Sequence, residues 1–173
     1  YYSERARELI AGRPPLSDPQ NFDLGRDIPA ERQQAEAWLR TTFVLPEGTD
    51  FNGMAELAGD LRYVRGLEYW RLGEYAQASA EFDALRMAVQ DNPVSSYRLA
   101  NALVELGAYR PAILAARQVL TLAGLDDAAS LNAPIYFNHI RFGTYYDDLV
   151  FPLASQYNFH PLFVWSVMRQ ESL

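Results

Sequence analysis

Apolar residues recur every three or four positions along most of this chain, which is the spacing of amphipathic α-helices. No stretch alternates apolar and polar residues in the way of a half-buried strand. The breaks between helical stretches carry residues that end helices, first Gly12 with Pro14-Pro15 and later Asn92-Pro93. The pattern therefore predicts an all-α fold of antiparallel helix hairpins.

Two helix starts can be located from their capping residues. Asp27 is a good N-cap, and Pro29 fits the first turn of a helix that the pattern extends to about Thr42. Near the end of the chain, His160-Pro161 opens the last predicted helix with proline at its first position. Proline is tolerated there because its missing N–H would have no partner inside the helix.

The stretch 145–157 predicts another amphipathic helix, in which Leu149 and Leu153 lie one turn apart on the same side. Pro152 within it predicts either a kink, because proline removes a backbone hydrogen bond, or the start of a helix. Asn158 follows and suits the left-handed conformation that commonly ends a helix.

A four-residue phrase occurs twice in the middle of the chain. Leu72-Gly73-Glu74-Tyr75 is followed 34 residues later by Leu106-Gly107-Ala108-Tyr109. Further pairs at this offset are Tyr63 with Tyr97, Gly66 with Ala100, Ala78 with Ala112 and Leu85 with Val119. This period, with small residues inside the helices and glycine at the turn, resembles the tetratricopeptide repeat. The resemblance implies two helix pairs, at about 59–92 and 93–126, in an array with a superhelical tendency.

Composition limits the classes of function. The chain is 49% hydrophobic and 21% charged, as globular proteins are, and its net charge of −7 disfavours nucleic acid as a partner because phosphate binding needs a basic face. The sequence contains no cysteine for disulfides or thiolate ligands, and its two histidines lack the spacing of a zinc motif. No metal or cofactor is therefore predicted. No run of about 18 apolar residues predicts a membrane-spanning helix.

The last predicted helix carries one acidic residue, Glu171, near its C-terminal end. Val164, Val167 and Met168 precede it by seven, four and three residues and therefore lie on its side of the helix. Apolar surroundings desolvate a carboxylate and raise its pKa, and the negative end of the helix dipole acts in the same direction. A carboxyl group in such surroundings can serve as a general acid near neutral pH.

The end of the chain, residues 146–172, resembles the start of the catalytic domain of soluble lytic transglycosylases, the goose-lysozyme-like enzymes of peptidoglycan. The family pattern is a helix of the type DLV…A…Y, a short turn with proline, and an apolar helix that ends in Arg-Gln-Glu-Ser. Here the corresponding residues are Asp148-Leu149-Val150, Ala154, Tyr157, Pro161 and Arg169-Gln170-Glu171-Ser172. Larger members of the family carry a helical, repeat-like region upstream, so we expect this chain to be a fragment of such a protein.

The resemblance implies a cleavage without water. Glu171 would protonate the glycosidic oxygen between N-acetylmuramic acid and N-acetylglucosamine, and would then accept the proton of the muramoyl C6 hydroxyl as it closes on C1 to leave a 1,6-anhydro end. One carboxylate suffices because the nucleophile belongs to the substrate, unlike in most glycosidases. Ser172 corresponds to the family's serine next to the acid, which contacts substrate. The implied partner is the glycan strand of peptidoglycan, and the implied location is periplasmic or extracellular.

The resemblances also predict a division of the chain. Residues 1–58 would form an N-terminal helical region, 59–126 the two helix pairs, 127–145 a connector, and 146–173 the truncated start of a lysozyme-like domain. The family's later Gly-Leu-Met-Gln and Ala-Tyr-Asn-Gly segments do not occur, so the 173 residues alone are expected to lack glycan cleavage. His160 stands where relatives have aspartate, a better N-cap.

Two other functions fit parts of the sequence. One is a scaffold in which the repeat-like array binds a protein or peptide and the C-terminal phrase has no catalytic role. The other is lysozyme-like hydrolysis, in which Glu171 keeps its role and water is the nucleophile. Among the remaining candidates, His139 and His160 are predicted to pack or cap helices rather than bind a ligand, and Trp38 and Trp70 are predicted to lie in the core.

Overall fold

A computed structural model describes residues 2–14, 25–126 and 128–171 of the chain. All regular structure in these ranges is helical, which confirms the all-α prediction. The helices are α1 (Tyr2–Ile10), α2 (Ile28–Thr42), α3 (Leu61–Arg71), α4 (Tyr75–Ala88), α5 (Pro93–Leu106), α6 (Tyr109–Leu122), α7 (Ile135–Arg141), α8 (Asp147–Gln156) and α9 (Pro161–Glu171). Short 3-10 helices cover Ala55–Gly59 and Ala129–Asn132.

The chain forms two compact units. The first combines Tyr1–Arg26 with Thr144–Leu173 and contains α1, α8 and α9. The second is Asp27–Gly143 and contains α2 to α7. The division into four segments that the sequence suggested stays a prediction.

The helix starts follow the capping residues of the sequence. Oδ1 of Asp27 accepts a hydrogen bond from the backbone N–H of Ala30 at 3.1 Å, and α2 ends at Thr42, as predicted. Oδ1 of Asn92 accepts from the N–H groups two and three residues further on, each at 3.0 Å. These side chains satisfy backbone donors that the first turn of a helix leaves without an internal partner.

Two helix pairs occupy the centre of the second unit, with α3 packed on α4 and α5 on α6. Gly73 ends the first helix of one pair and Gly107 that of the other, with φ angles of 77° and 84°. Glycine adopts this left-handed conformation without the steric penalty of a Cβ atom. The 34-residue offset in the sequence therefore relates two helix hairpins with the same residue at the turn.

Gly66 allows α3 to approach α4 closely. A Cβ atom at this position would lie 2.4 Å from Cε1 of Phe82, whose ring has no solvent exposure. The ring of Tyr63 also lies against Phe82, with centroids 6.2 Å apart. In the second pair the corresponding residues are Ala100 and Ala116, both buried, so the contact of a glycine with a large ring is not repeated there.

Tyr97 of α5 lies at the centre of the second unit's core and has no exposed surface. Its ring meets Phe51 and Phe137 edge-on, with centroid distances of 5.6 and 5.9 Å. Beside it, the hydroxyl of Tyr136 donates a hydrogen bond to Oδ1 of Asn101 at 2.7 Å. Burial raises the pKa of both tyrosines because it disfavours the phenolate. Helix α7 therefore covers the face of α5 that carries Tyr97 and Asn101.

The two tryptophans predicted for the core are partly buried against it. Trp38 of α2 meets Phe137 of α7 edge-on, with ring centroids 5.6 Å apart. Trp70 of α3 packs edge-on against Tyr75 of α4 at 4.7 Å, and Tyr75 itself is more than half exposed. Both tryptophans thus join neighbouring helices at the margin of the core rather than at its centre.

Helix α8 continues through Pro152, so the alternative that this proline starts a helix is wrong. The physical reason is that α8 already begins at Asp147 and Asp148, whose carboxylates are favourable at the positive end of a helix. Pro152 costs α8 the hydrogen bond that its missing N–H would have made, and its ring crowds the carbonyl of the preceding turn. Asn158 has a φ angle of 56° and ends the helical stretch, as predicted.

Replacing Gly66 by alanine should destabilise the second unit. Alanine is the better helix former by about 0.5–1 kcal/mol, but overpacking a buried ring costs typically about 1–3 kcal/mol. The Cβ atom that alanine adds would overlap the ring of Phe82, which places the overpacking cost at the upper end of this range. We therefore expect the free energy of unfolding, measured with urea, to fall by about 1–2 kcal/mol. Gly48→Ala is the control, since a Cβ there meets no atom within 4 Å. Equal stability of the two variants would contradict the close contact.

Candidate functional site

The start of α9 is held by a histidine. Nδ1 of His160 accepts a hydrogen bond from the backbone N–H of Leu162 at 3.2 Å, and Pro161 between them is fully buried. The bond satisfies one of the N–H groups that a helix start leaves without an internal partner. The prediction that His160 packs against or caps a helix is thereby confirmed.

Trp165 packs α9 against α8 and the residues that precede α8. Its indole Nε1–H donates a hydrogen bond to the backbone carbonyl of Tyr145 at 2.9 Å. Its ring meets Phe151 of α8 edge-on, with centroids 5.3 Å apart, and is almost completely buried. Val150 and Ala154 of α8 are buried as well. These contacts set the position of α9 and therefore the direction in which its last turn points.

An apolar groove of 650 Å³ runs between α8 and α9, and we call it the hairpin groove. Its walls come from α8, with Leu149, Val150, Leu153 and Ala154, and from α9, with Phe163, Val164, Val167 and Met168. Tyr146, Tyr157 and Phe159 complete it. Apart from the two tyrosine hydroxyls these side chains offer no polar group, so the groove is suited to apolar contacts and not to ordering the hydroxyls of a sugar.

Glu171 is the last residue of α9 and is exposed to solvent. Val167 and Met168, one turn earlier, line the hairpin groove, so the carboxylate emerges beside the end of that groove. The apolar burial that the sequence predicted around Glu171 is not present in the described residues, because two helices leave the end of α9 open to water. Ser172, the predicted substrate contact, lies outside the described residues.

The acids that open α8 have ordinary structural partners. Oδ2 of Asp147 lies 2.7 Å from the guanidinium of Arg26, and both side chains are partly exposed. Oδ1 of Asp147 also accepts the backbone N–H of Asp148 at 2.9 Å. Exposed ion pairs of this kind contribute about 0–1 kcal/mol. Asp147 and Asp148 thus form the acidic first turn of α8.

His139 belongs to a contact that the sequence did not reveal. Its Nδ1 lies 2.6 Å from Oε2 of Glu31, a carboxylate on α2 that is almost completely buried. The prediction that His139 packs rather than binds a ligand is consistent with this pairing. Within the described ranges no group of three or more His, Cys, Asp and Glu side chains is arranged to hold a metal ion.

No protein-family model, curated protein or solved structure matches the chain. The resemblance to lytic transglycosylases therefore rests on the sequence of residues 146–172 alone. None of the helices in the described part of the chain is long and apolar enough to cross a membrane.

Replacing Trp165 by phenylalanine should loosen α9. The ring contact with Phe151 is kept, but the carbonyl of Tyr145 loses its donor, at a cost of about 1 kcal/mol. Amide hydrogen exchange in α9 should therefore accelerate by about fivefold while α5 is unaffected. Trp70→Phe is the matched control and should leave α9 unchanged. Identical α9 exchange in the wild type and in Trp165→Phe would show that the indole hydrogen bond does not hold this helix.

Proposed function

We propose that this chain is the helical region and the first catalytic helices of a peptidoglycan lytic transglycosylase of the cell envelope. The observation that carries the proposal is the position of Glu171. The two segments of the family pattern, 148–157 and 161–171, form adjacent helices, and the acid emerges at the end of the groove between them. This is the placement expected of a proton donor that is completed by further polypeptide.

The proposed reaction needs one protein carboxyl group. Glu171, in its protonated form, donates to the oxygen that links muramic acid to glucosamine, and the bond from that oxygen to C1 breaks. The carboxylate then takes the proton of the muramoyl C6 hydroxyl, whose oxygen bonds to C1. The C6 hydroxyl thus returns the proton that Glu171 donated, and its oxygen replaces the leaving oxygen on C1. The reaction therefore needs neither water nor a second acid.

The hairpin groove supports a division of roles within the proposed site. Sugars present hydroxyl groups that need hydrogen-bonding partners, and the groove provides only apolar walls and two tyrosine hydroxyls. We infer that the glycan binds beyond the end of α9, where Glu171 is exposed, and that the groove itself serves packing between polypeptide segments.

The helix pairs of the second unit support the tetratricopeptide-like resemblance as a second part of the proposal. Gly66, Gly73 and Gly107 occupy the positions at which the repeat needs small or left-handed residues. A peptide partner would have to bind away from the face of α5 that carries Tyr97, since α7 covers it. This coverage favours a structural role for the array over the alternative of a peptide-binding scaffold.

Glu171→Gln should abolish cleavage in a polypeptide that joins this chain to the segments completing the sugar cleft. Glutamine keeps the size of the side chain but cannot donate a proton, and loss of general acid catalysis alone costs about 10²–10⁴-fold in rate. Release of soluble muropeptides from purified sacculi measures the effect. The thermal midpoint should not change, because Glu171 is exposed.

Glu68→Gln is the matched control for that experiment. Glu68 is likewise exposed on a helix, in α3, and removing its charge should leave cleavage at the level of the unmodified protein. Cleavage that persists in Glu171→Gln, or that falls equally in both variants, would refute the role of Glu171.

A further inference from the structure

The hairpin groove leaves an unusual amount of apolar surface in contact with water. Leu149 is 56% exposed, Leu153 51%, Tyr157 63% and Phe163 50%. Single exposed apolar residues are common on protein surfaces, but a contiguous patch larger than a few hundred Å² marks an interaction site. These side chains are contiguous because they line one groove.

The exposed area is close to what a stable dimer needs. Tyr146, Tyr157, Phe159 and Phe163 are each at least half exposed, and an aromatic side chain buries about 150–250 Å², so these four alone leave on the order of 300–500 Å² accessible. Leu149, Leu153 and Val167, which are 56%, 51% and 44% exposed, add to this area. A standard interface buries about 800 Å² on each partner.

No charged side chain would have to be desolvated when a partner covers the groove. Residues 149–168 contain no Asp, Glu, Lys or Arg, so covering α8, the turn and most of α9 desolvates no permanent charge. The charged residues of the hairpin stand at its ends, as Asp148 at one limit of this stretch and Arg169 at the other. A charge-free centre with a polar rim is the usual anatomy of a protein–protein interface.

We propose that the hairpin groove of this 173-residue chain is covered by the same groove of a second copy, so that two α8–α9 hairpins form a four-helix bundle. Two adjacent helices with one shared apolar side are half of such a bundle. Because each copy presents the same surface, the arrangement is a closed twofold dimer and does not propagate. The inference does not rest on the proposed function, and in a longer polypeptide a following segment would compete for the same groove.

Sedimentation equilibrium of the purified chain tests the proposal. The mass should rise from 19.6 kDa toward twice that value with increasing concentration and stop there. Since each chain carries a net charge of −7 and the contact is apolar, added salt should strengthen association by screening repulsion. The proposal would be overturned if the chain stays monomeric at all concentrations, or if its mass continues to rise beyond that of a dimer.

Glutamate substitutions locate the interface. Leu153→Glu and Leu149→Glu each place an unpaired charge in the groove and should raise the dimer dissociation constant at least about tenfold, which corresponds to 1.4 kcal/mol. Both positions are half exposed, so the monomer should keep its helicity by circular dichroism. Leu61→Glu, on the 70% exposed Leu61 of α3, is the matched control and should dimerise normally. Dimers that survive both groove substitutions, or that are lost equally in the control, would overturn the assignment.

Discussion

The period of the α-helix fixes Glu171 one turn beyond Val167 and Met168, and this constraint ties the acid to the apolar side of α9. The position of α9 is in turn set by Trp165, which packs on Phe151 and donates to the carbonyl of Tyr145. Whatever covers the hairpin groove therefore also decides whether Glu171 is surrounded by protein or by water. The proposed chemistry of Glu171 and the packing of the hairpin therefore both depend on this one surface.

In the second unit the apolar faces of the helices are covered by other helices of the same unit. Tyr97, for example, is enclosed by Phe51 and by Phe137 of α7. The close approach at Gly66 lets the ring of Phe82 fill the space between α3 and α4. Nearly every side of α5 is buried as a result. A closed core of this kind suits a rigid support, whereas the open groove of α8 and α9 suits association.

Local features of the fold could be predicted from the sequence because local interactions determine them. Asp27, Asn92 and Gly107 act on backbone groups a few residues away, and the structure has helix boundaries at each of them. At Pro152 the sequence alone allows either a kinked helix or a helix start, because a proline disfavours a helix interior and only the surrounding packing decides whether the helix continues.

Contacts between distant segments were not predictable in this way. His139 meets Glu31 across 108 positions of sequence, and Tyr136 meets Asn101 across 35. Nothing in the spacing of residues shows which helices become neighbours. The exposure of Glu171 has the same origin: periodicity places it on an apolar face, but burial depends on a third element over that face, and α8 alone does not provide one.

The chemical nature of the ends left on cleaved glycan tests the central claim most directly. Muropeptides released from sacculi by this chain joined to a complete sugar cleft can be analysed by mass spectrometry, with Glu171→Gln in parallel. We expect 1,6-anhydro-muramoyl ends from the unmodified protein and none from the variant. Reducing ends would instead mean that water is the nucleophile, and anhydro ends from the variant would mean that the proton comes from another group.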